Sequence, residues 1–406
     1  MFRVSFATAA MLLCGSVEPS VAQMVLTFEE VVARARDQAG PVVVARTRIA
    51  EAESSILDAS ARLRDNPVLE AAAGPRRGGG VGGTDLDIGV SQQFETGGQR
   101  QARIATALAA VDRQRAVVAE ASRAAIFEAA SAFVRGVAAG ERLRIAEEAS
   151  TVSRDLLAAM ERRYGAGDIA AIDLNLTRID AARSTATLGA GRADLAEAVG
   201  TLRTILRIPQ ADVVELRGSL DVPPVPPLQD LEAAVLQRPE FRVLDAEARE
   251  TEAQIRLGRA LRRPDLGFRV NYEREALDTV VLGGFTVTIP AFQRGLGTLA
   301  AGLARATRLR VEVETARQIA LDETRTAHQV HTQRARLAEE LTRDALASVV
   351  DNESLARRSF DEGELNLMDF LLIRRDALDT RLSVVDRRLE AALSRLQVDF
   401  AAGVLR

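Results

Sequence analysis

The sequence predicts a mainly α-helical protein: a long, coiled-coil-like rod of helices with four β-strands at one end that belong to a membrane barrel. Three observations predict it. Two proline-free tracts, from about Gly98 to Tyr164 and from about Gly295 to Phe360, keep helical periodicity over about 66 residues each. Three short segments alternate apolar and polar residues with a period of two, and a fourth, shorter one does so more weakly. The chain also repeats itself: Tyr164 and Phe360, Gly167 and Gly363, Asp168 and Glu364, Asp173 and Asp369, and Asp180 and Asp376 each stand 196 residues apart. Pro67 and Pro264, Val90 and Val287, and Gly98 and Gly295 keep an offset of 197. A drift of one residue over that distance marks two whole copies of one unit.

The chain opens with "MFRVSFATAAMLLCGSVEPSVAQ", one early charge at Arg3 and an apolar stretch through Leu13. Ser20, Val21 and Ala22 supply small residues for cleavage before Gln23, the layout of a secretory signal peptide. Cys14, the only cysteine, lies inside it. Cleavage after Ala22 leaves no thiol for disulfides or thiolate catalysis. Cleavage before Cys14 would instead acylate that thiol, but Leu13 stands where such a signal needs a small residue. Beyond the leader no run of about 20 apolar residues predicts a spanning helix. The 406 residues carry a formal net charge of −4, with 47% hydrophobic and 27% charged. That balance excludes a disordered chain and argues against a nucleic-acid partner, which requires a basic surface.

Each copy reads helix, strand, strand, very long helix, bend, helix. The domain organisation is therefore a signal peptide at 1–22, a first repeat at 23–207, a proline-rich linker at 208–227 and a second repeat at 228–406. Pro223, Pro224, Pro226 and Pro227 stop any helix from crossing the linker. In the first long helix Ile104, Leu108, Val111, Val118, Ile126, Phe133 and Val137 share a face, as a coiled-coil partner requires. Such a helix is roughly 100 Å long. The shorter helices reach that length only in pairs. The reading stacks the helix after Gly167 on the one before Arg263, and the helix Thr27 to Arg64 on the one from Asn366 to Phe400.

"NPVLEAAAG", "TDLDIGVSQQF", "DLGFRVNYE" and "VLGGFTVTIP" are the strands. Leu86, Ile88 and Val90 face one way and Asp87, Gly89 and Ser91 the other. One apolar and one polar face over roughly ten residues suits a transmembrane barrel strand. Four strands cannot close a barrel, so several copies must contribute to one cylinder. Aromatic residues are 4% with no tryptophan, so the interfacial girdle rests on Phe94, Phe268, Tyr272, Phe285 and Phe292.

No Ser/His/Asp arrangement or phosphate-binding loop is present, so the reading is of a non-enzyme without a cofactor. The two histidines, His328 and His331, lie three apart on the second long helix and are weak candidates for transient metal contact. Two histidines without a further carboxylate make an incomplete site, and no firm metal centre is expected.

The motifs "NPVL" entering the first strand, "QQFETGGQRQARIATA" leaving the second, "IPAFQRG" leaving the fourth, and the two bends resemble the TolC family of outer-membrane efflux factors. The resemblance covers nearly all of the chain after the leader. "FETGGQR" is similar to the CzcC-like heavy-metal branch. The resemblance implies an outer-membrane homotrimer: a 12-stranded barrel, four strands per chain, in lipid, and a periplasmic helical tunnel. It also implies a passive exit duct working with a periplasmic adaptor (a membrane fusion protein) and an inner-membrane RND-type pump. The bends would form the periplasmic tip, with Gly167, Asp168, Ile169 and Ala170, and Gly363, Glu364, Leu365 and Asn366, as adaptor-docking positions. Asp361, Glu362 and Glu364 are the candidate gate. Heavy-metal cargo follows from the branch alone; drugs or a secreted polypeptide are the alternatives, and a secreted coiled-coil scaffold is the reading from another class.

Overall fold

The computed structural model describes residues 23–76, 83–275, 278–292 and 294–405. The expected signal peptide with Cys14, and most of the glycine-rich turn after the first barrel strand, lie outside the described residues. The elements run β1 (Gln23–Leu26), α1 (Phe28–Gln38), α2 (Gly40–Ser60), β2 (Val68–Arg76), β3 (Gly83–Phe94), α3 (Gln99–Ala166) and α4 (Ala171–Leu206). Then follow β4 (Val213–Leu216), α5 (Leu228–Val235), α6 (Pro239–Ala260), β5 (Asp265–Glu275), β6 (Asp278–Thr288), α7 (Leu296–Asp361) and α8 (Leu367–Ala402). The long helices α3 and α7 fall where the periodicity places them. Gly98 and Gly295 precede them and Gly167 ends α3, all three in the left-handed conformation that only glycine adopts without cost. None of the described helices is long and apolar enough to cross a membrane.

Two expectations are corrected. The helices Thr27 to Arg64 and the one before Arg263 are each broken in two: Pro239 forces Arg238 into an extended conformation, and Ala39 is extended just ahead of the Gly40-Pro41 start of α2. The end-to-end stacking is also different: α4 continues into α1 and α2, and α8 into α5 and α6. The cause is a pair of short strands that the alternation pattern did not reveal. β4, inside the 208–227 segment, follows α4 and pairs in parallel with β1, which precedes α1, so the end of α4 meets the start of α1. The rod is thus a single layer, ordered α4, α3, α8, α7 toward the bends and α2, α3, α6, α7 toward the strands.

The main core lies at mid-length, where α3 carries Ile126, Phe133 and Val137 against Leu26, Val31, Leu202, Leu206, Leu220 and Leu396. Four of the seven apolar positions read from α3 are buried (Val111, Ile126, Phe133, Val137), while Leu108 is exposed. At the same level the last carbonyls of α8, which have no partner within the helix, are met by arginines. The Arg123 guanidinium is 6% exposed, stacks 3.9 Å over the Phe400 ring, donates to the Phe400 carbonyl at 2.9 Å and forks onto Glu120. Arg238 donates to Ala401 at 3.4 Å. Toward the strands α6 and α7 approach closely at Gly258, where a Cβ would stand 2.8 Å from the Leu299 backbone nitrogen. Backbone cannot move aside as a side chain can, so Gly258→Val is expected to destabilise the fold by about 2–3 kcal/mol. A thermal midpoint equal to wild type would refute that close approach.

The four remaining strands form one antiparallel sheet in the order β2-β3-β5-β6. In register, Val90 stands between Leu69 and Val270, Ile88 between Ala71 and Tyr272, and Phe268 opposite Phe285 with ring centroids 5.8 Å apart. These residues share the outward face and most are exposed, Phe285 to 84%. The other face is polar and more covered: Gly89, Ser91, Gly267, Arg269, Asn271 and Glu273 are buried or half-buried. The outer edges of β2 and β6 have no strand partner among the described residues.

Candidate functional site

The far end of the rod from the sheet is built by the two bends. In the first, the amide of Gly167 donates to Tyr164 and that of Asp168 to Arg163; in the second, Gly363 donates to Phe360 and Glu364 to Ser359. Both are left-handed glycine turns that satisfy the last carbonyls of a long helix. The structure brings the eight docking candidates to this one end. Gly167, Asp168, Ala170, Gly363, Glu364 and Asn366 are exposed, while Ile169 and Leu365 are half-buried. Ile169 joins a cluster of Met160, Leu174 and Leu367 with Phe360 and Leu371, so the two bends pack on each other. Asn366 caps α8 by accepting from the Asp369 amide at 2.9 Å, whereas Ala170 offers α4 no such cap. The gate candidates Asp361, Glu362 and Glu364 are all exposed and carry no ion pair among the described residues.

Behind the bends lies a polar contact that the sequence reading did not single out. Arg374 of α8 is 13% exposed, with its guanidinium 5.8 Å over the Phe370 ring. It donates to Ser153 Oγ of α3 at 3.3 Å and stands 3.5 Å from Asp180 of α4. Ser153 in turn donates to Asp180 at 2.7 Å. Burial holds Arg374 below the ordinary guanidinium value, against the opposing pull of the Asp180 and Glu353 carboxylates. Arg374 heads a series of arginines every seventh residue on α8, at 374, 381, 388 and 395. Arg381 meets Glu148 at 2.5 Å and Arg388 meets Glu141 at 3.5 Å, so the α8–α3 seam carries an ionic ladder. The hydrogen bond from Arg381 pulls the Glu148 carboxyl below its usual range. The seven-residue spacing was the signal in the sequence that could have found it.

The two histidines are not joined by a third ligand-type side chain among the described residues. His331 is 3% exposed, and its Nδ1–H donates to Ser394 Oγ at 3.1 Å, because that hydroxyl already donates to the Ala391 carbonyl at 2.8 Å. No group of three His, Cys, Asp or Glu side chains among the described residues could hold a metal. Burial, and then the nearby Arg395 charge, push the His331 imidazole below its ordinary value of 6.5. The unfolded chain therefore takes up this proton first, and stability falls as pH drops below 6.5. His331→Gln is expected to flatten the thermal-midpoint profile between about pH 6.5 and pH 5; a slope identical to wild type would remove His331 as its source.

Residues 76–206 match the family model described as Outer membrane efflux protein. Over 307 residues the chain is 25% identical to the cobalt-zinc-cadmium resistance protein CzcC of Cupriavidus metallidurans, covering 74% of this chain and 73% of that one. Among solved structures, a membrane protein from Pseudomonas aeruginosa superimposes with a TM-score of 0.74 at 16% identity, over 93% of each chain. The Campylobacter jejuni CmeC outer membrane channel superimposes with a TM-score of 0.73 at 15% identity, over 99% of this chain and 94% of that one.

Proposed function

We propose that this chain, which carries a TolC-like outer membrane efflux protein domain within the fold of such channels, is the exit duct for divalent metal cations in a tripartite pump. The observation that carries the duct reading is the four-strand sheet, apolar outward and charged inward, with both edges open. Edges of that kind exposed in lipid are untenable, because no water is present to satisfy their backbone groups. Copies of the chain joined β6 to β2 satisfy them, and three copies make a 12-stranded barrel. The same closure carries the helical layer round into a tunnel through which cargo moves passively. Fractionation tests this directly: the protein should be recovered from outer-membrane fractions as a heat-labile oligomer. A soluble monomer would end the reading.

The likeness to CzcC supports divalent metal as the cargo. Expression in a duct-deficient, metal-sensitive host should restore tolerance to cobalt, zinc or cadmium; rescue of drug tolerance alone would replace metal with drug. The exposed bends, lying side by side with their backbone turns presented outward, suit docking by a periplasmic adaptor that in turn engages an RND-type inner-membrane pump. Asp361, Glu362 and Glu364 would ring the aperture once copies are related by symmetry, attracting cations. Asp361→Asn combined with Glu364→Gln should lower cation selectivity by about twofold in planar bilayers. An unchanged reversal potential would reject this gate.

A further inference from the structure

The polar face of the sheet has a pattern of its own. Carboxylates dominate it, on all four strands, and among the described residues only Arg76 and Arg269 are basic there. Arg76 sits at the outer end of β2 and is paired twice, with Asp85 at 3.1 Å and Glu275 at 2.7 Å. Arg269 stands in mid-strand on β5 and, like Arg76 with Glu275, pairs across the intervening strand. Its Nη2 reaches Glu70 Oε2 at 2.5 Å, yet Glu70 lies on β2, and β3 runs between them.

The register explains how the reach is made. Gly89 of β3 is the residue opposite both Glu70 and Asn271. Having no side chain, it leaves a gap that the Asn271 amide enters, and that amide holds Arg269 Nε; a Cβ there would stand 2.8 Å from Asn271 Oδ1. On the other side Arg269 faces Gly284, where open space again remains. Asn271 completes the arrangement: it accepts from Arg269 Nε at 2.7 Å and donates to Asp87 at 3.3 Å. A guanidinium is thus strapped flat over three strands, with a carboxylate consumed at one end and a second one tied through an amide at the other.

We propose that Arg269 is a selectivity-determining residue of the conduit. This rests on the duct reading. Fixed charges on a narrow wall set the local concentration of the ions that pass it. Strapped to Glu70, Arg269 withdraws one carboxylate from the lumen and sets a counter-charge in a wall whose other charges, Arg76 apart, are acidic. It therefore moderates cation flow, so that cations pass without being retained. Removing it bares Glu70, and removing Glu70 bares the guanidinium. The two changes act in opposite directions, which a merely structural role would not produce.

The test is the reversal potential of the purified full-length protein in planar bilayers under a KCl gradient. Arg269→Gln should raise the potassium-to-chloride permeability ratio about twofold, and Glu70→Gln should lower it by a similar factor. The exchanged pair, Glu70→Arg with Arg269→Glu, should return the ratio to the wild-type value. Ratios that shift in the same direction, or not at all, overturn the assignment. Should Arg269→Gln fail to assemble, Glu70→Gln decides alone: a lower ratio supports the assignment and any other result overturns it. Wild-type protein that conducts no ions removes the duct reading and this assignment with it. Conducting channels with unshifted variants remove this assignment alone.

Discussion

Arg374→Ala is expected to loosen the tip of the proposed duct and raise its single-channel conductance about fivefold or more. The guanidinium is a charged tie from α8 to both α3 and α4 behind the bends, through Ser153 and Asp180. It is buried, so salt screens it weakly, and its loss leaves Asp180 with only the Ser153 hydroxyl. Arg374→Lys keeps the charge but not the fork and should fall between the two. Raising the salt concentration should loosen the more exposed pairs of the ladder, Arg381 with Glu148 and Arg388 with Glu141, before it affects Arg374. A variant whose traces stay at the wild-type conductance would show that the tip is held shut elsewhere.

The second large effect concerns stability. Arg123→Ala is expected to destabilise the fold by about 2–3 kcal/mol, because it removes the fork onto half-buried Glu120, the stacking on Phe400 and one of two donors to the Phe400 carbonyl, which keeps only the Gly403 amide. Thermal or denaturant unfolding of the detergent-solubilised protein would measure it, and a loss below about 1 kcal/mol would mean water replaces the guanidinium there. The same variant should leave the tip closed, since Arg123 lies at mid-length. The two arginines therefore separate gating from stability.

What the sequence disclosed follows the range of the forces involved. The long helices were legible because proline-free periodicity over many turns has one physical meaning, and Gly98, Gly167 and Gly295 mark their ends. The strands β3 and β5 were legible because the two faces of the four-stranded sheet differ, one apolar and one polar, so alternate residues meet opposite demands. The strands β1 and β4 were not, since four-residue segments carry too few alternations to stand out. Their pairing is what redirects the stacking of α4, so the error in one led to the error in the other. At the tip, glycine turns announce themselves locally, whereas the Arg374 contact joins three helices through residues 153, 180 and 374. Only its seven-residue series left a trace, and that trace alone does not say which helix the arginines face. His331 shows the reverse case: a residue type that suggested a metal is committed instead to Ser394.

The parallel pairing of β1 with β4 has a consequence for how the chain reaches its fold. Gln23 finds its partner only at Val213, 190 residues later. A chain delivered from its N-terminus must therefore leave Gln23–Leu26 as an unpaired strand until about half of the polypeptide has emerged. Contacts of such sequence separation form slowly, and an open strand edge invites foreign pairing while it waits. Assembly of the mid-length core is accordingly a late event, placed after the Gly167 bend has been made, and the interval before it is when this protein most needs a chaperone.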